Sequence, residues 1–179
     1  NKIIGGKLTL ENTVTTNADN LLADDITNDG TLTLTGGKVT KDINTNKTTS
    51  KTVIAANSEV INEAKINQKI EVNNAKYTTS ADSIYDVDKS IQATQAIVEL
   101  NGGTLKENRI QGSGNLEISN TVKFDFDNSN TNYAILKNIT INEDATFVPF
   151  ATYTGENNSI TANDNSTIDL MNGNVNPVN

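Results

Sequence analysis

The stretch Asp29-Gly30-Thr31-Leu32-Thr33-Leu34-Thr35-Gly36-Gly37 contains a pattern that returns, in altered form, along the chain. A polar turn is followed by a short run in which apolar and polar residues alternate, as they do in a strand that buries one face. Related segments lie at irregular intervals, at residues 5–10, 102–107, 112–118 and 165–170. One such unit cannot bury its apolar face alone, so each unit needs a neighbour stacked on it. The pattern therefore predicts a coiled β-solenoid.

We expect residues 1–179 to form a single all-β segment, a parallel β-solenoid in which each turn of the chain, here called a coil, stacks on the previous coil. Roughly seven or eight coils at the ~4.8 Å spacing of neighbouring strands would give a rod on the order of 35 to 40 Å long. One interior column is expected to contain Leu8, Leu32, Leu116, Ile139 and Ile168. Both ends of the sequence look like interrupted repeats, which suggests a fragment of a longer chain.

Two segments depart from the repeat. The polar run 41–51 is interpreted as a loop that protrudes from one corner. In residues 80–98 the apolar positions recur closer to a helical period than to a strand period. These positions are Ile84, Val87, Ile91 and Val98. They predict a short helical insertion near 82–97, and the alternative is that only residues 96–100 form a strand.

An antiparallel sandwich is the alternative architecture for the whole chain. Two Asn-Gly pairs, Asn101-Gly102 and Asn172-Gly173, match the two-residue turns of β-hairpins. Such turns between strands of equal length are scarce in this sequence. The scarcity of hairpin turns favours the solenoid.

The composition limits the range of functions. Hydrophobic residues make up 35% of the chain, below the roughly 45 to 50% of globular domains, so the core is expected to be thin. The chain has no histidine, the commonest general base, and no cysteine, which removes disulfides and thiolate metal sites. The net charge of -8 argues against nucleic acid and anionic membranes as partners. Abundant asparagine is expected at left-handed corners and in hydrogen-bonded ladders between coils.

One acidic segment is a candidate calcium site. Asp125, Asp127 and Asn128 begin with the D-x-D spacing of a calcium loop. The segment does not match an EF-hand, because Asn130 stands where the sharp turn needs glycine and Leu136 where the bidentate glutamate belongs. The three residues can still form a structural calcium site at a corner, and the alternative is an exposed acidic face. No other cofactor is expected.

Three segments carry a resemblance to a known group of proteins. They are Gly30-Thr31-Leu32-Thr33-Leu34-Thr35-Gly36-Gly37, Gly114-Asn115-Leu116-Glu117-Ile118 and Asn165-Ser166-Thr167-Ile168-Asp169-Leu170-Met171-Asn172-Gly173. They resemble the repeats of bacterial autotransporter passengers and related surface adhesins. The resemblance covers most of the chain except 41–51 and 80–96. It implies a right-handed parallel β-helix that is exported to the cell surface and serves adhesion, aggregation or display, with no shared active site to transfer.

These observations predict a non-enzymatic stalk or display segment of a bacterial cell-surface adhesin, located outside the cell. Expected partners are glycans or proteins of host or neighbouring cells, or copies of the same chain, without nucleic acid and without membrane insertion of this segment. A self-assembling subunit of an extracellular filament or surface layer is the alternative. A polysaccharide-cleaving β-helix enzyme is a third interpretation, with calcium as cofactor and Arg109, the one arginine, as its basic residue.

Overall fold

The computed structural model describes residues 3–84, 90–106, 110–126, 138–149 and 159–170. These residues form an all-β structure in which parallel sheets stack as a β-solenoid of about 7 turns. The predicted fold class and number of coils are confirmed. Every strand pair in the described ranges is parallel, which excludes the antiparallel sandwich there.

The described chain consists of short strands and two 3-10 helices. The strands are β1 (Ile3–Ile4), β2 (Lys7–Leu10), β3 (Thr13–Thr16), β4 (Leu21–Leu22), β5 (Asp25–Asn28), β6 (Thr31–Leu34), β7 (Gly37–Val39), β8 (Ile43–Asn44), β9 (Lys51–Ile54), β10 (Glu59–Asn62), β11 (Lys69–Asn73), β12 (Lys76–Thr79), β13 (Ile91–Thr94), β14 (Ile97–Leu105), β15 (Ile110–Gly112), β16 (Asn115–Phe124), β17 (Asn138–Ile141), β18 (Thr146–Val148), β19 (Ser159–Ala162) and β20 (Thr167–Ile168). The 3-10 helices are Ala18–Asn20 and Ala81–Ser83.

Successive coils contribute their strands to the same sheets. Sheet 1 has the order β2-β5-β8, and sheet 2 has the order β3-β6-β9-β11-β13-β15. Sheet 3 runs β7-β10-β12-β14-β16-β17-β19, and β18 and β20 extend it beside the second half of β16. Strands β1 and β4 form a separate pair. The sheets enclose one apolar core that runs through the stack.

Alternation within each strand builds this core. In β6, Leu32 and Leu34 are fully buried, while Thr31 and Thr33 are half-buried on the outer face. Because the strands pair in register, Leu32 lies directly beside Val14 of β3. Each fully buried leucine contributes about 1.5 to 3 kcal/mol relative to an exposed one. A thin core of many such residues therefore stabilises the stack.

The predicted single interior column is wrong. Leu116 and Ile139 are direct neighbours in sheet 3, but Leu8 lies in sheet 1, Leu32 in sheet 2 and Ile168 in β20. The corner segments differ in length from coil to coil, so a similar spacing along the sequence does not return to the same sheet. The sequence pattern identifies the repeat unit but does not predict in which sheet of the coil each copy lies.

The predicted helical insertion near 82–97 is also wrong in the residues that the structure describes. Ala81–Ser83 is a single 3-10 turn, and strands β13 and β14 follow where the helix was expected. Ile91 is buried because it pairs with Ile70 on one side and Ile110 on the other. This ladder overrides the local helical spacing. The alternative strand at 96–100 is confirmed from Ile97 onward.

The loop predicted at 41–51 is shorter than expected. Strand β8 lies inside it, and Ile43 is fully buried. Ile43 pairs with Ile26 and forms a bridge to Ile66, so it continues an interior column of sheet 1. The longest exposed run of the segment is residues 46–49, and Asp42 and Asn44 on either side of Ile43 are exposed as well.

Left-handed corners are used repeatedly, as the asparagine content predicted. The described non-glycine residues with positive φ are Asn57, Asn74, Gln95, Asn120, Asp144 and Asn165. Asparagine and aspartate tolerate this conformation better than other residues with a side chain. The corners also stack, because the backbone N–H of Asn57 donates to the carbonyl of Asn74 at 2.8 Å and that of Asn74 donates to the carbonyl of Thr94 at 2.9 Å.

Candidate functional site

A group of closely spaced charges lies on the outer face of sheet 3. Lys76 Nζ is 2.9 Å from Glu99 Oε2 and 3.0 Å from Glu117 Oε2. Glu99 also accepts hydrogen bonds from Ser119 Oγ at 2.6 Å and Thr78 Oγ1 at 3.2 Å. Strands β12, β14 and β16 supply these five residues, which we call the sheet 3 cluster. The cluster therefore ties three successive coils together.

Burial and pairing oppose each other in the sheet 3 cluster. Burial alone would raise the pKa of Glu99, but the hydrogen bonds from Ser119, Lys76 and Thr78 and the charge of Lys76 outweigh it and lower that pKa. Burial alone would lower the pKa of Lys76, but Glu99 and Glu117 raise it. Both groups are therefore held in their charged forms near neutral pH.

A second ionic group lies on the outer face of sheet 2. Glu71 Oε2 is 2.9 Å from Lys51 Nζ, and Glu71 Oε1 is 3.0 Å from Lys69 Nζ. The hydrogen bond from Lys51 is the largest cause of the lowered pKa of Glu71, and it outweighs the effect of burial. Lys51 belongs to β9 and Glu71 to β11, so this group also connects neighbouring coils.

Sequence reasoning did not predict the contacts that fasten one corner. Asn17 Oδ1 accepts from the backbone N–H of Asp19 at 2.9 Å, and Asp19 Oδ1 accepts from the backbone N–H of Lys38 at 2.8 Å. Lys38 belongs to the next coil. Gly37 has φ +87, and a Cβ at this position would collide with Asn17 and Asp19. We call Asn17, Asp19 and Lys38 the first clasp.

The same arrangement occurs again further along the solenoid. Ser80 Oγ accepts from the backbone N–H of Asp82 at 3.3 Å, and Asp82 Oδ1 accepts from the backbone N–H of Thr104 at 2.9 Å. Gly103 has φ +97 and faces Asp82. We call Ser80, Asp82 and Thr104 the second clasp. The sequence signal for both is a polar residue followed by Ala-Asp, with Gly-Gly one coil later.

Polar side chains also occur inside the solenoid. Asn62 Nδ2 donates to the carbonyl of Ala64 at 2.9 Å and to Thr79 Oγ1 at 3.2 Å. Tyr77 is 1% exposed, and burial raises its pKa although hydrogen bonds with Thr79 and Asn62 oppose the shift. An adjoining cavity of about 10 Å³ is lined by Asn62, Ile66, Ile70, Tyr77, Ser83, Ile84 and Ile91. That volume is close to the space of a single water molecule.

The structure tests the predicted site residues only in part. Asp125 is exposed, and its Oδ1 lies 3.6 Å from Lys123 Nζ. Asp127, Asn128 and Arg109 lie outside the described residues. Within the described ranges, no group of three or more histidine, cysteine, aspartate or glutamate side chains is placed to hold a metal ion. The calcium site and the role of Arg109 stay predictions.

Comparison with protein families, with characterised proteins and with solved structures found no match for this chain. The resemblance to autotransporter passengers and adhesins therefore stays a prediction. Among the residues described, no helix is long and apolar enough to cross a membrane.

Proposed function

We propose that this chain is a non-enzymatic stalk segment of a bacterial cell-surface adhesin that holds a binding region away from the cell. The observation that carries the proposal is the unbroken series of parallel strands from β7 to β19 in sheet 3. About seven turns at ~4.8 Å each make a rod on the order of 35 Å long. A stalk needs this geometry, because length grows with each added coil while the cross-section stays constant.

Side-chain ladders on the outer face support a mechanical role. Asn138 Nδ2 donates to Asn115 Oδ1 at 2.9 Å, and Ser159 Oγ donates to Asn138 Oδ1 at 2.9 Å. Asn142 Nδ2 donates to Ser119 Oγ at 2.9 Å. Like the ion pairs of the sheet 3 cluster, each of these bonds joins one coil to the next. Resistance to sliding between coils is what a spacer requires.

The proposed location is the extracellular surface of a bacterium, and the proposed partners are glycans or proteins of host or neighbouring cells. The net charge of -8 supports a surface exposed to solvent, since like charges keep neighbouring molecules apart. The repeats that resemble surface adhesins support the same assignment. The adhesive contacts themselves are assigned to the tip of the parent protein and to corner loops of the solenoid.

A display experiment tests the stalk function. The chain is inserted between a surface anchor and a small epitope on bacterial cells, and the epitope height is measured by fluorescence localisation against the same anchor with a Gly/Ser linker of equal residue number. A rigid solenoid should hold the epitope about 35 Å above the end of the anchor, with a narrow distribution of heights. A flexible linker gives a broad distribution. A broad distribution for the solenoid would rule out the stalk function.

Self-assembly is the second candidate function. Ile168 is 38% exposed and Leu170 is 51% exposed on the last described coil, and Ile4 is 74% exposed on the first. Exposed apolar side chains beside strand edges favour pairing between copies. Size-exclusion chromatography with light scattering and electron microscopy separate the two functions, since a stalk gives single rods and a filament subunit gives polymers that lengthen with concentration.

A further inference from the structure

We propose that Asn101 is a site of spontaneous chemical modification, in which its side-chain amide is lost by deamidation through Gly102. Asn101 is exposed on β14. The pairing of β14 with β16 shifts register between Asn101 and Gly103, and Gly102 lies opposite a β-bulge formed by Asn120 and Thr121 of β16. The proposal depends on this bulge and is independent of the stalk function.

Gly102 is suited to act as the nucleophile. It has no side chain to shield its backbone nitrogen, and its φ of +72 is a conformation that glycine adopts without strain. The space around it is open, because an added Cβ would meet only Thr121 O at 3.7 Å and Asn120 Cβ at 3.8 Å. The backbone of Gly102 is therefore not crowded on the side where a side chain would project.

Asn120 supplies a hydrogen-bond donor to the reacting carbonyl. Its Nδ2 donates to Asn101 Oδ1 at 2.5 Å. Negative charge develops on that oxygen when a nucleophile adds to Cγ, and a donor already in place stabilises the charge. Asn120 is therefore a positioning and activating residue for the reaction.

The reaction needs only water. The backbone nitrogen of Gly102 bonds to Cγ of Asn101 and loses its proton to water, and the Cγ–Nδ2 bond breaks with release of ammonia. The product is a cyclic succinimide. Water then adds to either carbonyl of the ring, giving aspartate when the original peptide link is restored and isoaspartate when the main chain passes through Cγ.

The modification acts on the second clasp. The carbonyl of Gly102 accepts from Ser80 Oγ at 3.4 Å, and Thr104 lies two residues further on. Isoaspartate adds one carbon to the main chain immediately before these contacts. An aspartate side chain also brings a negative charge to the corner that holds Asp82. Both products are expected to weaken the clasp.

Incubation of the full chain in water enriched in oxygen-18, at mildly alkaline pH, tests the proposal. Peptide mass spectrometry should find the heavy isotope at residue 101, and the label should disappear in Asn101→Gln. Asn172→Gln, which removes the other Asn-Gly pair, is the matched control and should leave the label at 101 unchanged. Absence of label at 101 in the folded protein, over a period in which a free peptide of residues 97–106 reacts, would overturn the proposal.

The role of Asn120 is tested separately. Asn120→Gly keeps a residue that tolerates positive φ and removes the donor, and Asn120→Asp keeps the side-chain shape and also removes it. Either change should slow labelling at 101 by about two- to thirteenfold, the factor that corresponds to one hydrogen bond of about 0.5 to 1.5 kcal/mol. Unchanged rates in both variants, with an intact circular dichroism spectrum, would refute the assignment of Asn120.

Discussion

Among individual residues, a few glycines at positions where the backbone turns a corner are decisive for the fold. Gly37 and Gly103 stand at equivalent places in the two clasps, each with positive φ and each against an aspartate side chain. The sequence shows the Gly-Gly pairs, but it does not show which Ala-Asp segment lies against them. Residues that are distant in sequence meet there only because one coil stacks on the next. The clasps therefore had to be found in the structure.

Gly103→Ala should destabilise the protein strongly. Its new Cβ would lie 2.6 Å from Asp82 Oδ2 and the backbone has φ +97. The matched control is Gly6→Ala, where φ is +70 and no atom lies within 4 Å of the added Cβ. Gly6→Ala should lower the free energy of unfolding by about 1 to 2 kcal/mol, the cost of placing a residue with a side chain in the left-handed conformation. Urea unfolding should show a clearly larger loss of unfolding free energy for Gly103→Ala than for Gly6→Ala. Equal losses in the two variants would show that the second clasp is not close-packed.

At the scale of the element, alternation was enough to identify strands whose outer face is polar. Strand β6 alternates strictly and was predicted correctly. Strand β13 was mistaken for part of a helix, because Ile91 and its neighbours also fit a helical spacing and the ladder that decides between the two is not visible locally. The pairing partners of Glu99 could not be predicted either, since they depend on the register between β12, β14 and β16.

The sheet 3 cluster predicts a pH dependence. The folded-state pKa of Glu99 is lowered, so its contribution is present above the unfolded pKa of about 4.3 and is lost as pH falls through the lower folded value. The folded-state pKa of Lys76 is raised, so its contribution is present below the unfolded pKa of about 10.4 and is lost as pH rises through the higher folded value. Stability should therefore be greatest between these limits.

Thermal melts from pH 3 to pH 11 of the original protein and of Glu99→Gln check this dependence. The variant should melt at a lower temperature near neutral pH, and the difference should shrink in acid because the original carboxylate is then protonated as well. Glu59→Gln, on an exposed residue of the same sheet, is the control and should change little. If the difference in melting temperature between the original protein and Glu99→Gln were the same at every pH, the assigned ion pair between Lys76 and Glu99 would be contradicted.

Burial within sheet 3 predicts a gradient of sensitivity. Ile118 of β16 is fully buried, whereas Ile168 of β20 is 38% exposed. Ile118→Ala should lower the free energy of unfolding by about 2 to 5 kcal/mol, as buried Ile→Ala substitutions do. Ile168→Ala should lower it clearly less, because its side chain is partly exposed. Chemical denaturation of both variants measures the difference. Equal losses would mean that β20 is packed as tightly as the centre of the sheet.

At the scale of the whole molecule, the repeat and its composition were sufficient to predict a parallel solenoid of the observed number of coils. The prediction that five apolar residues share one interior column is wrong because the corner segments differ in length from coil to coil. The length of each corner segment depends on how the chain packs around that corner. The calcium site at Asp125, Asp127 and Asn128 stays a prediction, and the D-x-D pattern alone does not reveal which side chains lie beside it. Repetition thus predicts architecture better than it predicts sites.

The spacing of residues along the solenoid axis distinguishes a parallel solenoid from any other arrangement of these strands. Glu59, Asn115, Asn138 and Ser159 lie in one outward column of sheet 3, and the chain has no cysteine of its own. Spin labels on cysteines at position 59 and at 115, 138 or 159 should lie about 14, 19 and 24 Å apart, one ~4.8 Å step more for each coil. Pulsed electron resonance that finds this regular increase supports the parallel solenoid, and distances that do not rise in this order would contradict it.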